Sequence, residues 1–191
     1  MNKKTIIWLA VVGVIILLVA WFWSSYNQLV TVSEQVDGQW AQVEVQYQRR
    51  FDLIPNLVST VQGAMSQEQK VFGDLAAARQ NYSGANTTNA KAEAASQVEG
   101  ALSRLLVIME NYPQLKSMET VNTLMAQLEG TENRVSVERG RFNEEVKAYN
   151  VLTKRFPTSL MASIFNFSEK AYFQAASNAA EAPKVDLQVT K

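Results

Sequence analysis

The feature that most constrains the fold is an uncharged run near the N-terminus, from Thr5 to Trp23 (TIIWLAVVGVIILLVAWFW). As a helix rising ~1.5 Å per residue, this run would be about 28 Å long, close to the ~30 Å hydrocarbon thickness of a bilayer. Trp8 lies near one end, and Trp21 and Trp23 close the other, as in the aromatic belts of membrane interfaces. The sequence therefore predicts a transmembrane helix at residues 5–23.

Two alternatives to a transmembrane helix are a buried core helix and a cleaved signal peptide. The absence of charge and the tryptophan rims disfavour the core helix. The run is longer than the apolar region of a usual signal peptide, and it ends in Ala-Trp-Phe-Trp-Ser-Ser rather than in an A-x-A-like cleavage site. We therefore predict an uncleaved signal anchor that crosses the membrane once.

The charges around this segment predict its orientation. Lys3 and Lys4 precede it, whereas the next basic residue after it is Arg49. Because positive residues remain on the cytoplasmic side, residues 1–4 are expected in the cytoplasm and the following domain outside it.

Composition excludes several classes of function. Lys plus Arg and Asp plus Glu number 18 each, and removing Lys3 and Lys4 leaves 16 basic against 18 acidic residues, about −2. This balance gives no basic surface for nucleic acid. The chain contains no Cys and no His, which removes disulfides, thiol and Ser-His-Asp catalysis, and His-based metal sites. An enzyme would have to use carboxylates, lysine, tyrosine or hydroxyls alone, so we expect no enzymatic activity and no cofactor.

After the membrane segment, apolar residues recur at steps of four and three, which is the heptad pattern of a helix that packs along one face. No Gly or Pro interrupts the chain between Trp23 and Val36, so one helix from Thr5 to Met65 would be about 90 Å long. Pro55 is expected to bend this helix or to mark a join. The stripe consists of Val36, Trp40, Val43, Tyr47, Arg50, Ile54, Leu57, Val61 and Ala64.

Three further helices are predicted downstream. A short one covers Val71 to Tyr82 and precedes a polar loop at 83–89, and a third carries Val98 to Tyr112 and stops before Pro113. The fourth ends near Pro157 and repeats apolar residues every seven positions. The fold class is therefore all-α, with residues 24–173 forming an elongated antiparallel coiled-coil-like helical bundle. The seven-residue repeat consists of Val121, Leu128, Val135, Phe142 and Tyr149.

The segment after Pro157 allows two interpretations. Leu160, Ile164, Phe167 and Ala171 would share one face of a helix, which either docks on the bundle or lies on a membrane surface or partner. Docking is favoured because Lys170 is the only basic residue there. Residues 174–191 are small and polar, and we predict a disordered tail.

Charged residues at apolar positions of the stripes are the main candidate site. Arg50 lies on the first stripe, and Glu132 and Arg139 lie seven residues apart on the fourth helix. We predict that Arg49 or Arg50, together with Asp52, pairs with Glu132 and Arg139, because buried charges require partners. Such ion pairs would fix helix register. The alternative is a carboxylate site for a metal or ligand, without a Glu-x-x-His motif to support it.

A second candidate site lies at Pro55 and Asn56. A proline within a helix frees a backbone carbonyl, and Asn56 adds a side-chain amide, so a cleft here would suit a small ligand or an extended peptide. The alternative is a simple bend that fits the bundle.

The chain resembles the LemA family through motifs that cover about Met1 to Phe173. The resemblance implies a bacterial origin, a single N-terminal span, a helical-bundle domain and no established enzymatic activity. Glu110-Asn111 departs slightly from the acidic residue and alanine usual in the family at that point. The matching motifs are YNQLV at 26–30, Trp40, QRRFDLIPNLV at 48–58, Ala78-Arg79, ENYPQLK at 110–116, LEGTENR at 128–134, Arg141-Phe142-Asn143, Tyr149-Asn150, Phe156-Pro157 and the aromatic region 165–173.

These features together favour a membrane-anchored interaction or scaffold protein of the bacterial inner membrane, with its domain in the periplasm. Its partners would be the lipid bilayer and an unknown protein. Neutral charge also permits copies to pack together, so a homo-oligomer is among the expected assemblies. The alternative is an envelope sensor or binding module that recognises a small ligand or peptide near Pro55.

Overall fold

A computed structural model describes residues 2–173, which contain helices and no strand. The all-α prediction is confirmed, while the predicted tail at 174–191 lies outside the described residues. The helices are α1 (Lys3–Val61), α2 (Gln69–Gly84), α3 (Thr88–Met109), α4 (Pro113–Lys116), α5 (Glu119–Lys154) and α6 (Thr158–Ile164).

Helix α1 is continuous from the apolar run into the bundle. Its 59 residues span about 88 Å at ~1.5 Å per residue. Pro55 lies inside the helix, so it does not mark a join, and the helix ends at Val61 rather than at Met65. The proline removes one backbone hydrogen bond, but Ile54 and Leu57 beside it are fully buried and hold this turn against the rest of the bundle.

The core follows the predicted heptad stripes. Helix α5 packs along α1 in the antiparallel direction, since Trp40 contacts Phe142 at a ring-centroid distance of 5.3 Å while Arg50, further along α1, pairs with Glu132, which lies earlier on α5. A buried apolar side chain contributes about 1.5–3 kcal/mol, so these stripes supply much of the stability. Their fully or nearly fully buried members are Val36, Val43, Tyr47, Ile54, Leu57 and Val61 on α1 and Val121, Leu128, Val135, Phe142, Val146 and Tyr149 on α5.

Helices α2 and α3 form a hairpin that covers α1. The ring of Tyr82 lies 4.8 Å from that of Phe51 and 5.9 Å from that of Tyr47. The connection is shorter than the predicted loop at 83–89, because the Thr87 hydroxyl accepts a hydrogen bond from the Ala90 amide at 3.2 Å and caps α3. The one-turn helix α4, which buries Leu115, had not been predicted.

The predicted helical face after Pro157 is wrong. Helix α6 ends at Ile164, and it buries Met161 and Ala162 while Leu160 and Ile164 are exposed. Asn166 adopts a left-handed backbone conformation, with φ 57°, and the Phe167 amide donates to the Ala162 carbonyl at 2.9 Å. This is the hydrogen bond of a Schellman helix end, so the helical spacing does not extend to Phe167 and Ala171. Residues 167–173 run without helix along the bundle.

Candidate functional site

A polar cluster joins three helices halfway along the bundle. Tyr47 of α1 is fully buried, and its hydroxyl accepts a hydrogen bond from Arg139 Nε of α5 at 2.8 Å. Arg139 Nη2 contacts both that hydroxyl and a carboxylate oxygen of Glu99 on α3. The guanidinium also lies 4.4 Å from the ring centroid of Phe173. One arginine therefore connects α1, α3, α5 and the C-terminal segment.

Burial sets the ionisation of this cluster. Desolvation, with the nearby Glu99 carboxylate, raises the pKa of the Tyr47 phenol well above its usual range, although Arg139 opposes this shift. Burial lowers the pKa of Arg139, but its bonds to Glu99 and the nearness of Tyr47 more than compensate, so that its pKa is raised. Tyr47 therefore remains a neutral hydroxyl, and Arg139 and Glu99 form a partly buried ion pair.

A second polar contact lies about one turn further along α1, on the side of Tyr47 away from the N-terminus. Arg50 Nη1 is 2.7 Å from a carboxylate oxygen of Glu132, and it donates to the Leu128 carbonyl at 3.0 Å. Arg50 is only 8% exposed, so this charge depends on its two partners. The structure thus brings together two of the predicted site residues, Arg50 and Glu132.

The predicted link between Asp52 and Arg139 is wrong. Asp52 is exposed and accepts a hydrogen bond from Gln48 at 2.7 Å, and Arg139 pairs with Glu99 instead. Seven residues of α5 separate Glu132 from Arg139, which is about 10 Å along the helix, so only one of them lies level with Arg50. Arg49 is also exposed on the outer face of α1.

Pro55 and Asn56 lie on the exposed surface of α1. The Asn56 carbonyl accepts hydrogen bonds from the hydroxyls of Thr60 at 2.7 Å and Ser59 at 3.0 Å, so local side chains already use it. An open depression of about 520 Å³ lies nearby between α1 and α5, and it is lined by Arg49, Asp52, Leu53, Gly130, Thr131 and Arg134. It is an open groove, which does not include Pro55 or Asn56.

The C-terminal segment is held by two asparagine side chains of α5. Asn150 donates to the Lys170 carbonyl and accepts from the Lys170 amide, both at 2.9 Å. Asn143 makes the same pair with Phe173, at 3.1 and 2.8 Å. Each primary amide thus satisfies a backbone N–H and C=O as a neighbouring β-strand would. We call residues 168–173 and these two asparagines the asparagine clamp.

Side chains of both long helices complete the asparagine clamp. The Tyr149 hydroxyl donates to the Ser168 carbonyl at 3.0 Å. The Lys170 ammonium bonds the Asp37 carboxylate at 2.6 Å and the Ser33 carbonyl of α1 at 3.2 Å. The groove between α1 and α5 therefore accommodates an extended peptide through its backbone.

The sequence analysis missed Tyr47, Glu99 and both asparagines as polar site residues. A signal for the asparagines was present, because Phe142-Asn143 and Tyr149-Asn150 place an aromatic residue and an amide together twice, seven positions apart. On a helix this spacing puts both amides on one face beside the buried stripe. No comparable pattern marks Glu99, whose partner lies on another helix.

The described residues offer binding groups rather than reactive ones. Among residues 2–173, no three Asp and Glu side chains come together in a way that could hold a metal ion. Glu99 and Glu132 are each engaged by an arginine. These groups can hold chain segments together through hydrogen bonds, ion pairs and aromatic packing.

Together these features define a class of protein: an all-helical bundle whose first helix extends beyond the bundle as an exposed apolar segment, long enough to cross a membrane. The polar groups of the bundle serve helix register and the binding of a C-terminal segment. This chain belongs to the LemA family, whose sequence model matches residues 39–187.

The chain is also similar to curated proteins of magnetic bacteria. Magnetosome proteins MamQ 2 and MamQ 1 of Paramagnetospirillum magneticum are each 26% identical to it in an alignment 175 residues long, and the alignment covers 78% of this chain. Magnetosome protein MamQ of Magnetospirillum gryphiswaldense is 26% identical over 174 residues. The aligned region spans 64% of the length of each relative.

Proposed function

We propose that this protein is a membrane-anchored scaffold, without catalytic activity, that holds other proteins at the bacterial inner membrane. The observation that carries the proposal is the continuity of α1, which runs from the exposed apolar segment into the bundle as one 59-residue helix. The length of this helix would therefore set how far from the bilayer a partner bound to the bundle can lie. Helical rods of this kind present extended side surfaces, which suit protein contacts better than deep reaction pockets.

The distribution of polar groups supports a role in interaction. The guanidinium groups of Arg50 and Arg139 bond to carboxylates and to backbone or phenol oxygens of neighbouring helices. The exposed faces of the long helices retain apolar side chains, including Val45 on α1 and Val137 on α5, which are 45% and 53% exposed. A protein partner or a second copy would cover such positions.

The relatives support a membrane setting. MamQ proteins carry the name of the magnetosome, and they share 26% identity with this chain. In our proposal, this chain works at a membrane. The domain faces the periplasm, because Lys3 and Lys4 precede the apolar segment and no basic residue follows it before Arg49.

Photo-cross-linking in intact cells tests the scaffold. A photoreactive amino acid replaces Val45 or Val137 in separate full-length variants, and Val14 in the apolar segment serves as the lipid-facing control. We expect discrete cross-linked protein products from one or both bundle positions. If both bundle positions yield only uncross-linked monomer while the protein is present in the membrane, the scaffold proposal is wrong.

A second candidate function is recognition of an extended peptide, and the asparagine clamp favours it. Backbone bonds from Asn143 and Asn150 do not depend on the side chains of the bound segment, so the groove would accept another extended peptide in place of residues 168–173. This moves the predicted peptide site from Pro55 to the membrane-proximal half of the groove between α1 and α5.

Peptide exchange tests this second function. In the full chain, Lys170→Glu and Phe173→Ala weaken the hold on the chain's own segment, and a fluorescent peptide with the sequence of residues 167–174 is titrated onto this variant. We expect saturable binding that is lost when Asn143→Ala and Asn150→Ala are added. Equal binding with and without the asparagines would contradict recognition at this groove.

A further inference from the structure

Helix α6 exposes two of its three large apolar side chains, Leu160 and Ile164, while Met161 is buried. Leu160 and Ile164 are 52% and 62% exposed, Phe165 directly after the helix is 42% exposed, and Phe156 just before it is 75% exposed. Leu160 and Ile164 are four residues apart and so lie on one helical face. Such a group of exposed apolar residues on a small domain marks a contact with something else.

The packing of α6 fixes which face is exposed. Met161 and Ala162 are buried against Leu29 of α1. The Thr158 hydroxyl donates to the carbonyls of Leu152 at 2.6 Å and Arg155 at 2.7 Å, which ties the start of α6 to the end of α5. Leu160 and Ile164 therefore remain outside while α6 is docked.

The position of Phe165 relates this face to the membrane. Its ring lies 5.8 Å from that of Phe22 and 4.8 Å from that of Tyr26, measured between ring centroids. Phe22 belongs to the uncharged run, one residue before its end at Trp23. Leu29, where Met161 packs, lies six residues beyond Trp23, which is about 9 Å along α1. With the bilayer surface taken at Trp23, helix α6 begins just outside this surface and ends close to it.

We infer that Leu160 and Ile164, with the flanking Phe156 and Phe165, insert into the interfacial layer of the membrane that α1 crosses. This inference rests on the membrane anchoring in the proposed function. Lipid is favoured over a protein partner because the apolar face is continuous with the apolar surface of α1, through the contact between Phe165 and Phe22. An amphipathic helix in this layer buries its apolar face about 5–10 Å deep.

The bilayer contact has a structural role. A single span leaves a bundle free to tilt relative to the membrane normal, whereas a second contact beside the span restricts that tilt. With α6 inserted in this way, exposed Arg155 between α5 and α6 would be available to lipid phosphates, with which a guanidinium forms favourable bidentate bonds. The surface near α6 thus combines apolar and basic groups as an interfacial segment does.

Site-specific fluorescence on the full chain tests the inference. Because the sequence contains no cysteine, each introduced cysteine is the single labelling site. Single variants Leu160→Cys, Ile164→Cys, Val14→Cys and Val107→Cys are labelled with an environment-sensitive dye and reconstituted in phosphatidylcholine vesicles. Some vesicles contain lipids with a nitroxide near the headgroup end of the acyl chain. Val14 reports on the span, and Val107, which is 64% exposed at the far end of α3, is the matched control.

We expect blue-shifted emission from the labels at 160 and 164, and nitroxide lipid should quench about half of it or more, as for a group at interfacial depth. The label at 107 should show neither effect. Blue-shifted emission without lipid quenching at 160 and 164 would mean that protein covers the face, and it would overturn the inference. If the label at 14 is protected from aqueous quenchers but 160 and 164 behave like 107, the inference fails and the anchor stands. If 14 also behaves like 107, membrane anchoring fails as well.

Discussion

Arg139 of α5 donates a hydrogen bond from Nε to the hydroxyl of Tyr47 on α1 at 2.8 Å, and the same guanidinium pairs with Glu99 of α3. The contact sets the register of the bundle at its middle, because it specifies which turn of α5 lies beside which turn of α1. A shift by one turn would leave a buried phenol and a partly buried carboxylate without partners, and each such group costs free energy.

Removing this arginine should destabilise the bundle. We expect Arg139→Met to lower the free energy of unfolding by about 2–4 kcal/mol, since it leaves Glu99 partly buried without its partner. Chemical denaturation followed by circular dichroism measures the change. The matched control is Arg141→Met, whose side chain is 61% exposed and pairs with Glu138 on the same helix. Its effect should stay below about 1 kcal/mol. Equal losses in both variants would contradict a register role for Arg139.

Alkaline pH should lower the free energy of unfolding, because burial raises the pKa of the Tyr82 phenol. Desolvation, with the nearby Glu44 carboxylate, raises the pKa of Tyr82 to about 12, from the 10.0 of a free phenol. Between these values the unfolded chain loses the proton and the folded chain keeps it, so stability is complete below pH 10 and falls as pH rises toward 12. We expect Tyr82→Phe to flatten this decline in denaturation experiments. Below pH 9, where both states keep the proton, the free energy of unfolding should depend on pH in the same way in the wild type and in Tyr82→Phe.

Loss of the asparagine clamp should release the C-terminal segment while the bundle stays folded. Asn150→Ala leaves the amide and carbonyl of Lys170 without their partners, at a cost of about 1–3 kcal/mol. Hydrogen exchange should therefore become faster at the amides of Lys170 and Phe173, with α1 and α5 still protected. Asn122→Ala, which removes one exposed hydrogen bond to Lys116, is the control. Unchanged exchange at Lys170 in the Asn150→Ala variant would disprove the clamp.

The orientation of the domain can be measured with the same cysteine-free background. In intact cells with a permeabilised outer membrane, a membrane-impermeant maleimide should label Val107→Cys but not Asn2→Cys. This follows from the placement of Lys3 and Lys4 on the cytoplasmic side. The reverse labelling pattern would put the bundle in the cytoplasm.

Heptad periodicity was sufficient to predict the long helices. The stripes on α1 and α5 repeat often enough that the buried positions, from Val36 to Val61 and from Val121 to Tyr149, coincide with the core of the structure. Helix formation depends on local spacing, and a pattern repeated over many turns tolerates single exceptions such as Arg50 and Pro55.

The shorter elements could not be predicted in the same way. Helix α6 has only seven residues, and its end depends on the left-handed conformation of Asn166, which spacing of apolar residues does not reveal. Apolar spacing alone left open whether this segment docks on the bundle or lies on a membrane surface or partner, and it does not reveal that Leu160 and Ile164 are exposed.

Partners across helices were predicted only where both residues lay on recognised stripes. Arg50 and Glu132 satisfied this condition and lie together. Glu99 did not, since the position of α3 relative to α5 depends on how the hairpin of α2 and α3 folds over α1. The asparagine clamp depends likewise on a segment with no regular structure of its own, whose path only the assembled groove defines.

The unbroken course of α1 has a mechanical consequence. From Trp23 to Val61 the helix extends for about 57 Å, so a tilt of about 10° in the membrane would displace the far end by roughly 10 Å. Helices tilt to match the thickness of the bilayer that surrounds them. This displacement is sideways, so the tilt of α1 is the quantity that should change with lipid composition, and polarised infrared spectroscopy of oriented bilayers would measure it.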